Sequence, residues 1–389
     1  MPLVSNGVNL LYITNARIPT EKAHGIQIMK MCEAFTKAGI EQELIIPGRF
    51  NWIKEDPFDY YGIARNFKIK KLPCFDLIPF HKHLGHFGLW LESLTFFFSA
   101  VFYLFFKKRD FVIYTRDKFL SPISFFKKNL IFEAHSFPGN YFLYSLFLKR
   151  LKGVVVITEK LKERFMEHGI AGNKILVAPD GVDFGMFDIG ESQAACREKL
   201  GLPQDKKIVL YTGHLYEWKG ANTLLEAARN FQFSISNFQF IFVGGTKEDI
   251  ESFKDKARDL KNVLVVGHRH YSEIPYWLKA ADVLVLPNSG KIEISRHWTS
   301  PMKLFEYMAS KRPIVASDLP SIREILNEQN SVLAKPDNPE QLAQAIKEVL
   351  QNHELSDRIS AKSFEDAKEF TWQKRAEKIY EYFFKEDKK

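Results

Sequence analysis

The sequence predicts an α/β protein built from two doubly wound parallel sheets, one following the other along the chain. Three observations carry this. Apolar strand-like runs alternate with helical stretches up to Pro179, and the alternation restarts at Lys207. The runs are short and end in loops rich in glycine or polar residues. At 389 residues the chain is long enough for two such cores. The boundaries fall at 1–190 and 191–369, with a last helical segment over 370–389.

In order, Asn9–Thr14 reads as a strand, and the loop Asn15–Gly25 leads to a helix from Ile26 to Ala38, closed by Gly39. Val8–Thr14 has no basic residues before it, so it reads as a first strand and not as a signal peptide. Gly25 lets backbone approach a ligand closely, although a plain turn would use it equally. Glu43–Pro47 and Phe67–Leu72 are the next strands. His81, His83 and His86 then precede Leu89–Phe106, eighteen residues in which only Glu92 is charged. The histidine spacing admits a metal or a solvated loop, and no cysteine or carboxylate cluster joins it.

The apolar segment is just long enough to span a bilayer. Spanning would place the strands before and after it on opposite sides of a membrane. It therefore reads as a core helix or as one lying in the interface, with Phe96, Phe97, Phe98, Phe102, Phe105 and Phe106 followed by Lys107, Lys108 and Arg109. Phe111–Thr115 resumes the strands. Asn129–Glu133 is a strand ending in Phe-Glu-Ala-His-Ser, which sets Glu133 and His135 where parallel sheets place their ligands. Helix 141–150, strand Val154–Thr158, helix Glu159–Gly169 and strand Ile175–Pro179 follow. The more polar Phe184–Asp205 reads as a connection.

The second half repeats the scheme. Lys207–Thr212 is a strand, Gly213–Gly220 a loop carrying His214 and Lys219, and 221–231 a helix. Phe238–Val243 ends at Gly244-Gly245, and helix Lys247–Leu260 follows. Val263–Val266 ends at Gly267-His268-Arg269. Helix 272–280 and strand Val283–Pro287 complete the set. Thr299–Asp318 then gives a loop, a helix and the buried strand Ile314–Ala316. Ser300 suits an N-cap and Pro301 the first helical position. The free amides at such a helix start form an anion site, although an ordinary capped helix shares the signature. Lys303 and Glu306 lie on one face of that helix, with Leu304 beside them.

The net charge is +8, and residues 1–190 carry 25 Lys and Arg against 18 Asp and Glu. Most of that excess lies between Lys107 and Lys152, which points to an anionic partner for the first half. Aromatic and basic residues also interleave in nucleic-acid binders, but no recognisable nucleic-acid module accompanies them, so none is expected as a partner. Cys32, Cys74 and Cys196 stand far apart, consistent with a reducing compartment and no structural zinc. The chain is expected to be cytoplasmic, and peripheral at the membrane face if the Phe-rich segment is interfacial.

Gly213–Gly220, Val154–Asp183, Ser300–Ala309 and Pro313–Pro320 together resemble the retaining GT-B glycosyltransferases of family 4. The resemblance extends to Val8–Ala38 and to Thr371–Phe384, and it is more specific in the second half. It implies two Rossmann-like domains facing across a cleft. The first would be the acceptor side, the second would hold a nucleotide-sugar, and the final helix would return to the first. It further implies that Lys219 neutralises the donor diphosphate and Glu306 accepts hydrogen bonds from the ribose. Gly25 would approach the phosphates, and His135 would lie beside the transferred sugar. Gly213, His214, Arg269, Ser300, Lys303 and Leu304 complete the donor-binding set.

Two positions depart from the family. His214 stands where Arg is frequent, and Trp298 where a Glu precedes Glu306 by eight positions; Glu293 lies nearby at another spacing. The chain contains no Asp-x-Asp triplet, so lysines and helix amides, with no metal and no further cofactor, are expected to stabilise the leaving phosphate. Carboxylates paired as in a glycosidase are not evident.

The expected reaction is metal-independent transfer from a GDP- or UDP-linked sugar, mannose among the candidates, with the retention of configuration that the resemblance implies. The acceptor would be a glycan or a lipid-linked molecule in cell-surface polysaccharide or glycolipid synthesis, with an anionic membrane surface as a further partner. The alternatives are a non-catalytic nucleotide-sugar-binding or scaffold subunit of a glycan assembly complex, and a GT-B epimerase.

Overall fold

The computed structural model describes residues 8–78, 86–107, 110–232 and 237–385. His81, His83, Lys108 and Arg109, named above, lie outside them. The chain divides into two compact units: 1–179 with 372–389, and 180–371.

The first unit holds seven parallel strands: β1 (Asn9–Ile13), β2 (Glu41–Pro47), β3 (Lys68–Leu72), β4 (Val112–Thr115), β5 (Leu130–Ala134), β6 (Gly153–Val156) and β7 (Ile175–Val177). Their order is β3-β2-β1-β4-β5-β6-β7, so the winding reverses between β1 and β4. Tyr12, Phe35 and Tyr114 are fully buried and meet edge to face, with ring centroids 5.0 and 5.4 Å apart. The helix Trp372–Phe384 belongs here and packs on the helix Ala23–Lys37. A Cβ on Gly153 would lie 2.0 Å from the Phe383 ring, so β6 needs glycine to receive that helix.

The long apolar helix runs His86–Phe106. Gly88, Glu92, Phe96, Ala100 and Leu104 recur every fourth residue and form its buried stripe. Of its most apolar eighteen-residue window only 22% is buried, which removes the core-helix reading. Glu92 is fully buried, pairs with Arg49 at 2.8 Å and accepts from Asn15 at 3.0 Å. The helix's one carboxylate is thus bonded to side chains of the loops after β1 and β2.

The second unit has six parallel strands: β8 (Lys207–Thr212), β9 (Phe238–Val243), β10 (Val263–Gly267), β11 (Val283–Leu286), β12 (Ile314–Ser317) and β13 (Val332–Ala334). Their order is β10-β9-β8-β11-β12-β13, with the reversal between β8 and β11. Alternate residues feed opposite cores. Val209 and Tyr211 pack with Phe231 and Ile346, whereas Ile208 and Leu210 pack with Leu278 and Phe305.

The boundary differs from the expected residue 190. Residues 180–190 belong to the second unit because Val182 bridges Thr371 and the Phe184 ring packs at a tilt on Phe364. The expected connection is itself folded into helices Phe184–Phe187 and Gln193–Lys199. Within the second of these, Arg197 is buried, binding Asp282 at 2.6 Å and the Ala280 carbonyl at 2.9 Å.

Candidate functional site

In the second unit the loop after β8 and the start of the helix Met302–Ala309 come together around two lysines. Gly213 takes φ +119, and Lys303 Nζ lies 3.6 Å from where its Cβ would be. Gly220 takes φ +75, and a Cβ there would fall 1.7 Å from the Pro287 carbonyl oxygen. These glycines let the loop lie flat against the end of β11.

Lys303 is buried, donates to the Thr212 carbonyl at 3.0 Å and sits 3.7 Å over the Tyr211 ring. Burial, and then the Lys219 charge, push its pKa well below the usual 10.5, with Glu306 opposing. Lys219 lies 3.9 Å over the Trp218 ring; burial lowers it to about 8, with Asp180 opposing. One lysine depressed by its neighbour, and both by burial, mark a site short of negative charge.

Glu306, one turn along the helix, is buried and accepts from the Tyr271 hydroxyl at 2.9 Å. Burial raises it to about 7 against the opposing pull of Tyr271 and Lys303. It is therefore poised between acceptor and acid near neutrality.

Other donor-side expectations change in detail. Ser300 does not cap the helix; Pro301 is the residue before it, and the Ser300 hydroxyl accepts from the Asp180 amide at 3.1 Å. That bond ties the segment after β7 to the helix mouth. Leu304 was expected to contact the donor. Its side chain instead lies in the core with Phe305, and its amide donates to the Pro301 carbonyl at 2.8 Å. The amides of Met302 and Lys303 come before the first helical hydrogen bond and have no partner within the helix. His214 stacks flat on Tyr216 with centroids 4.8 Å apart. Arg269 is partly exposed after β10 and bonds the His268 carbonyl. Glu293 is exposed, and Trp298 ends the short helix Glu293–His297.

In the first unit, Glu133 and His135 leave the end of β5 as expected. Glu133 is fully buried and gathers donors: Gln27 at 2.6 Å, His135 Nε2 at 2.7 Å, Arg375 at 2.9 Å and the Tyr114 hydroxyl. Burial alone would raise its carboxyl; Arg375, His135 and Arg116 outweigh that and hold it well below 4.5. Nε2 of His135 is committed to Glu133, and the ring is partly exposed. His24 is nearby in charge terms: burial, with Arg116 and Lys22, lowers it to about 3, so it stays neutral. Gly25 falls inside the first turn of Ala23–Lys37, not in the loop before it. A Cβ there would stand 2.2 Å from the Tyr61 hydroxyl oxygen, so internal packing already requires glycine.

Sequence reasoning missed Tyr271, Tyr211, Asp180, Gln27 and Arg375. Only Tyr271 left a trace, two residues past Arg269. Asn288 was also missed. It is fully buried just after β11, and neither polar atom of its side chain finds a hydrogen-bond partner among the described residues.

The fold so described is GT-B: two parallel-sheet, Rossmann-like α/β domains. The particular likeness is sharper in the second unit, where residues 206–352 match the family model for glycosyl transferases group 1. The chain is 25% identical over 251 residues to an uncharacterized glycosyltransferase of Methanocaldococcus jannaschii, covering 64% of each chain. It is 26% identical over 194 residues to the putative teichuronic acid biosynthesis glycosyltransferase TuaC of Bacillus subtilis, covering 50% of this chain and 45% of that one. The matched parts thus span roughly half to two thirds of those relatives' own lengths. Among solved structures, Anabaena HepE in complex with UDP-glucose superposes with a TM-score of 0.74 at 16% identity, over 96% of this chain and 98% of that one.

Proposed function

We propose that this protein is a glycosyltransferase whose donor is a nucleotide-diphosphate sugar, acting with retention of configuration and without a metal. The observation that carries the reading is the pair of lysines, buried Lys303 and half-buried Lys219, held by their own domain at the mouth of Met302–Ala309. A diphosphate supplies the missing charge. As the bond from the anomeric carbon to the leaving phosphate breaks, negative charge grows on the phosphate oxygens. Two ammonium groups and the first helix amides are already aimed there and need no reorganisation.

Glu306 takes the ribose hydroxyls, its orientation fixed by Tyr271. Asn288 offers an unused donor and acceptor for the donor molecule. The UDP-glucose bound to HepE supports a nucleotide-sugar donor, and the teichuronic acid role printed for TuaC supports an acceptor in polymer synthesis; the donor is then a UDP or GDP sugar and the acceptor a glycan or lipid-linked molecule.

The test is release of nucleoside diphosphate from UDP- and GDP-linked sugars with glycan and lipid-linked acceptors, with and without a chelator. The anomeric coupling of the product is read by NMR. Chelator-insensitive release with the donor's anomeric configuration kept in the product is the expected result. Tight nucleotide binding with no release for any pairing would favour a scaffold subunit instead, and inversion or a metal requirement would remove the corresponding part of the proposal.

A further inference from the structure

The first unit exposes aromatic side chains to an extent that a freely soluble domain does not need. On His86–Phe106, Phe98, Phe102 (68% exposed), Phe105 (83%) and Phe106 stand out of the fold, and Trp90 does so near the other end. The 3₁₀ turns Lys118–Phe125 touch this helix, and the helix Tyr141–Leu148 packs on those turns in its own right. Phe125 meets the Phe147 ring at 5.2 Å, and the Ser124 hydroxyl donates to the Phe147 carbonyl at 3.2 Å. Those elements add Phe126, Phe142 (89% exposed), Leu143 and Leu146 to the exposed set. Three neighbouring elements of one unit thus display large apolar side chains, the third of which sequence reading treated as an ordinary helix.

Their charge is one-sided. Lys118, Lys128, Lys149 and Arg150 are exposed around these elements, and Arg150 lies 4.7 Å over the Phe125 ring. Of the three acids between 107 and 152, Asp110 is exposed, Glu133 is fully buried in its network, and Asp117 accepts from Thr14 at 2.8 Å and from the Asn15 amide at 2.7 Å. What faces solvent is therefore mainly cationic and aromatic, the combination that partitions into an anionic bilayer interface. The buried stripe of His86–Phe106 and its internal Glu92–Arg49 pair keep that helix on the domain and out of a spanning position.

We propose that these three elements form one interfacial platform that seats the first unit on an anionic lipid bilayer, with the helix Tyr141–Leu148 inserting as a second wedge beside His86–Phe106. The proposal stands on the first unit alone. Its failure leaves the nucleotide-sugar reading untouched, and the reverse holds as well.

The full-length protein is sedimented with vesicles of phosphatidylglycerol mixed with phosphatidylcholine, and with phosphatidylcholine alone. Two variants are compared: Phe102→Ser with Phe105→Ser, and Phe142→Ser with Leu143→Ser. Their melting midpoints and circular dichroism serve as controls on folding, which exposed positions should leave unchanged. Binding is expected only to the anionic vesicles, released by high salt, and weakened roughly tenfold or more in each variant. Four results would each overturn the proposal. These are no co-sedimentation; undiminished binding by the Phe142–Leu143 variant; retention after an alkaline carbonate wash, which marks a spanning helix; and lipid-free self-association abolished by the same substitutions, which marks a second copy as the occupant.

Discussion

Replacing Lys303 with Met separates a lysine kept for a ligand from one kept for the fold. The methionine side chain keeps the length and much of the apolar stem but lacks the ammonium. That ammonium is displaced well below the ordinary 10.5, first by burial and then by Lys219. Its deletion relieves the cost of holding a charge out of water, several kcal/mol for a buried ion. Against this, the Thr212 carbonyl loses its 3.0 Å donor and the Tyr211 ring its cation. An unpaired buried carbonyl costs about 1–3 kcal/mol. The two effects nearly cancel, so the thermal midpoint is expected to fall by no more than about 4 °C, and to rise if burial dominates. Nucleotide binding is expected to behave otherwise: loss of one preorganised cation costs about 3 kcal/mol, or roughly 100-fold in affinity for a nucleoside diphosphate. Calorimetric titration with UDP and GDP beside a thermal melt reads both arms. A variant that melts as expected yet binds nucleotide within twofold of wild type would refute the idea that this lysine faces a diphosphate.

Three further outcomes follow from the same geometry. The folded-state pKa of Lys219, about 8, lies below its ordinary 10.5. The cost of its buried charge is therefore fully present below pH 8 and fades as pH rises toward 10.5. Nucleotide-free protein should gain stability over that interval while nucleotide affinity drops, and melts across pH with and without nucleotide would expose a flat dependence. Gly220→Ala should destabilise by at least about 3 kcal/mol, because it combines a φ of +75 with a 1.7 Å approach to the Pro287 carbonyl; denaturant titration measures it. Arg375→Met strands the Glu133 carboxylate, with both members of that pair no more than 3% exposed, and should cost about 3–5 kcal/mol at neutral pH. In wild type the lowered Glu133 pKa gives stability present above pH 4.5 and lost as pH falls below it. The variant should lose that acid-side dependence, and amide exchange in Trp372–Phe384 should quicken. Unchanged exchange there would show that the ion pair does not hold the helix.

Strands buried on both faces were legible because each is a continuous apolar run stopped by a glycine or polar turn. Lys207–Thr212 and Phe238–Val243 read the same in sequence and structure. The nearness of Lys303 and Glu306 was legible for a related reason, since the helix fixes them on one side, and Lys219 lies close enough to act on Lys303. What escaped was settled by partners distant in the chain. Ser300 has the residue type and position of an N-cap, yet its hydroxyl accepts from Asp180, 120 positions earlier. Arg375 meets Glu133 across 242 positions, and nothing around either residue announces the other. Gly25 could be read as room for a ligand because the sequence does not reveal that Tyr61 already fills the space.

The Phe-rich helix marks the boundary between what pattern can and cannot decide. A helix apolar on every side carries no contrast from which a buried face can be read. Its single acid supplies the contrast in three dimensions. Glu92 cannot face lipid, and it is bonded inward to Arg49 and Asn15, so the stripe containing it must be the one against the sheet. The aromatics on the remaining faces are then left outside by geometry, not by chance of composition. A charged residue that looks like an interruption of an apolar segment is what orients the segment.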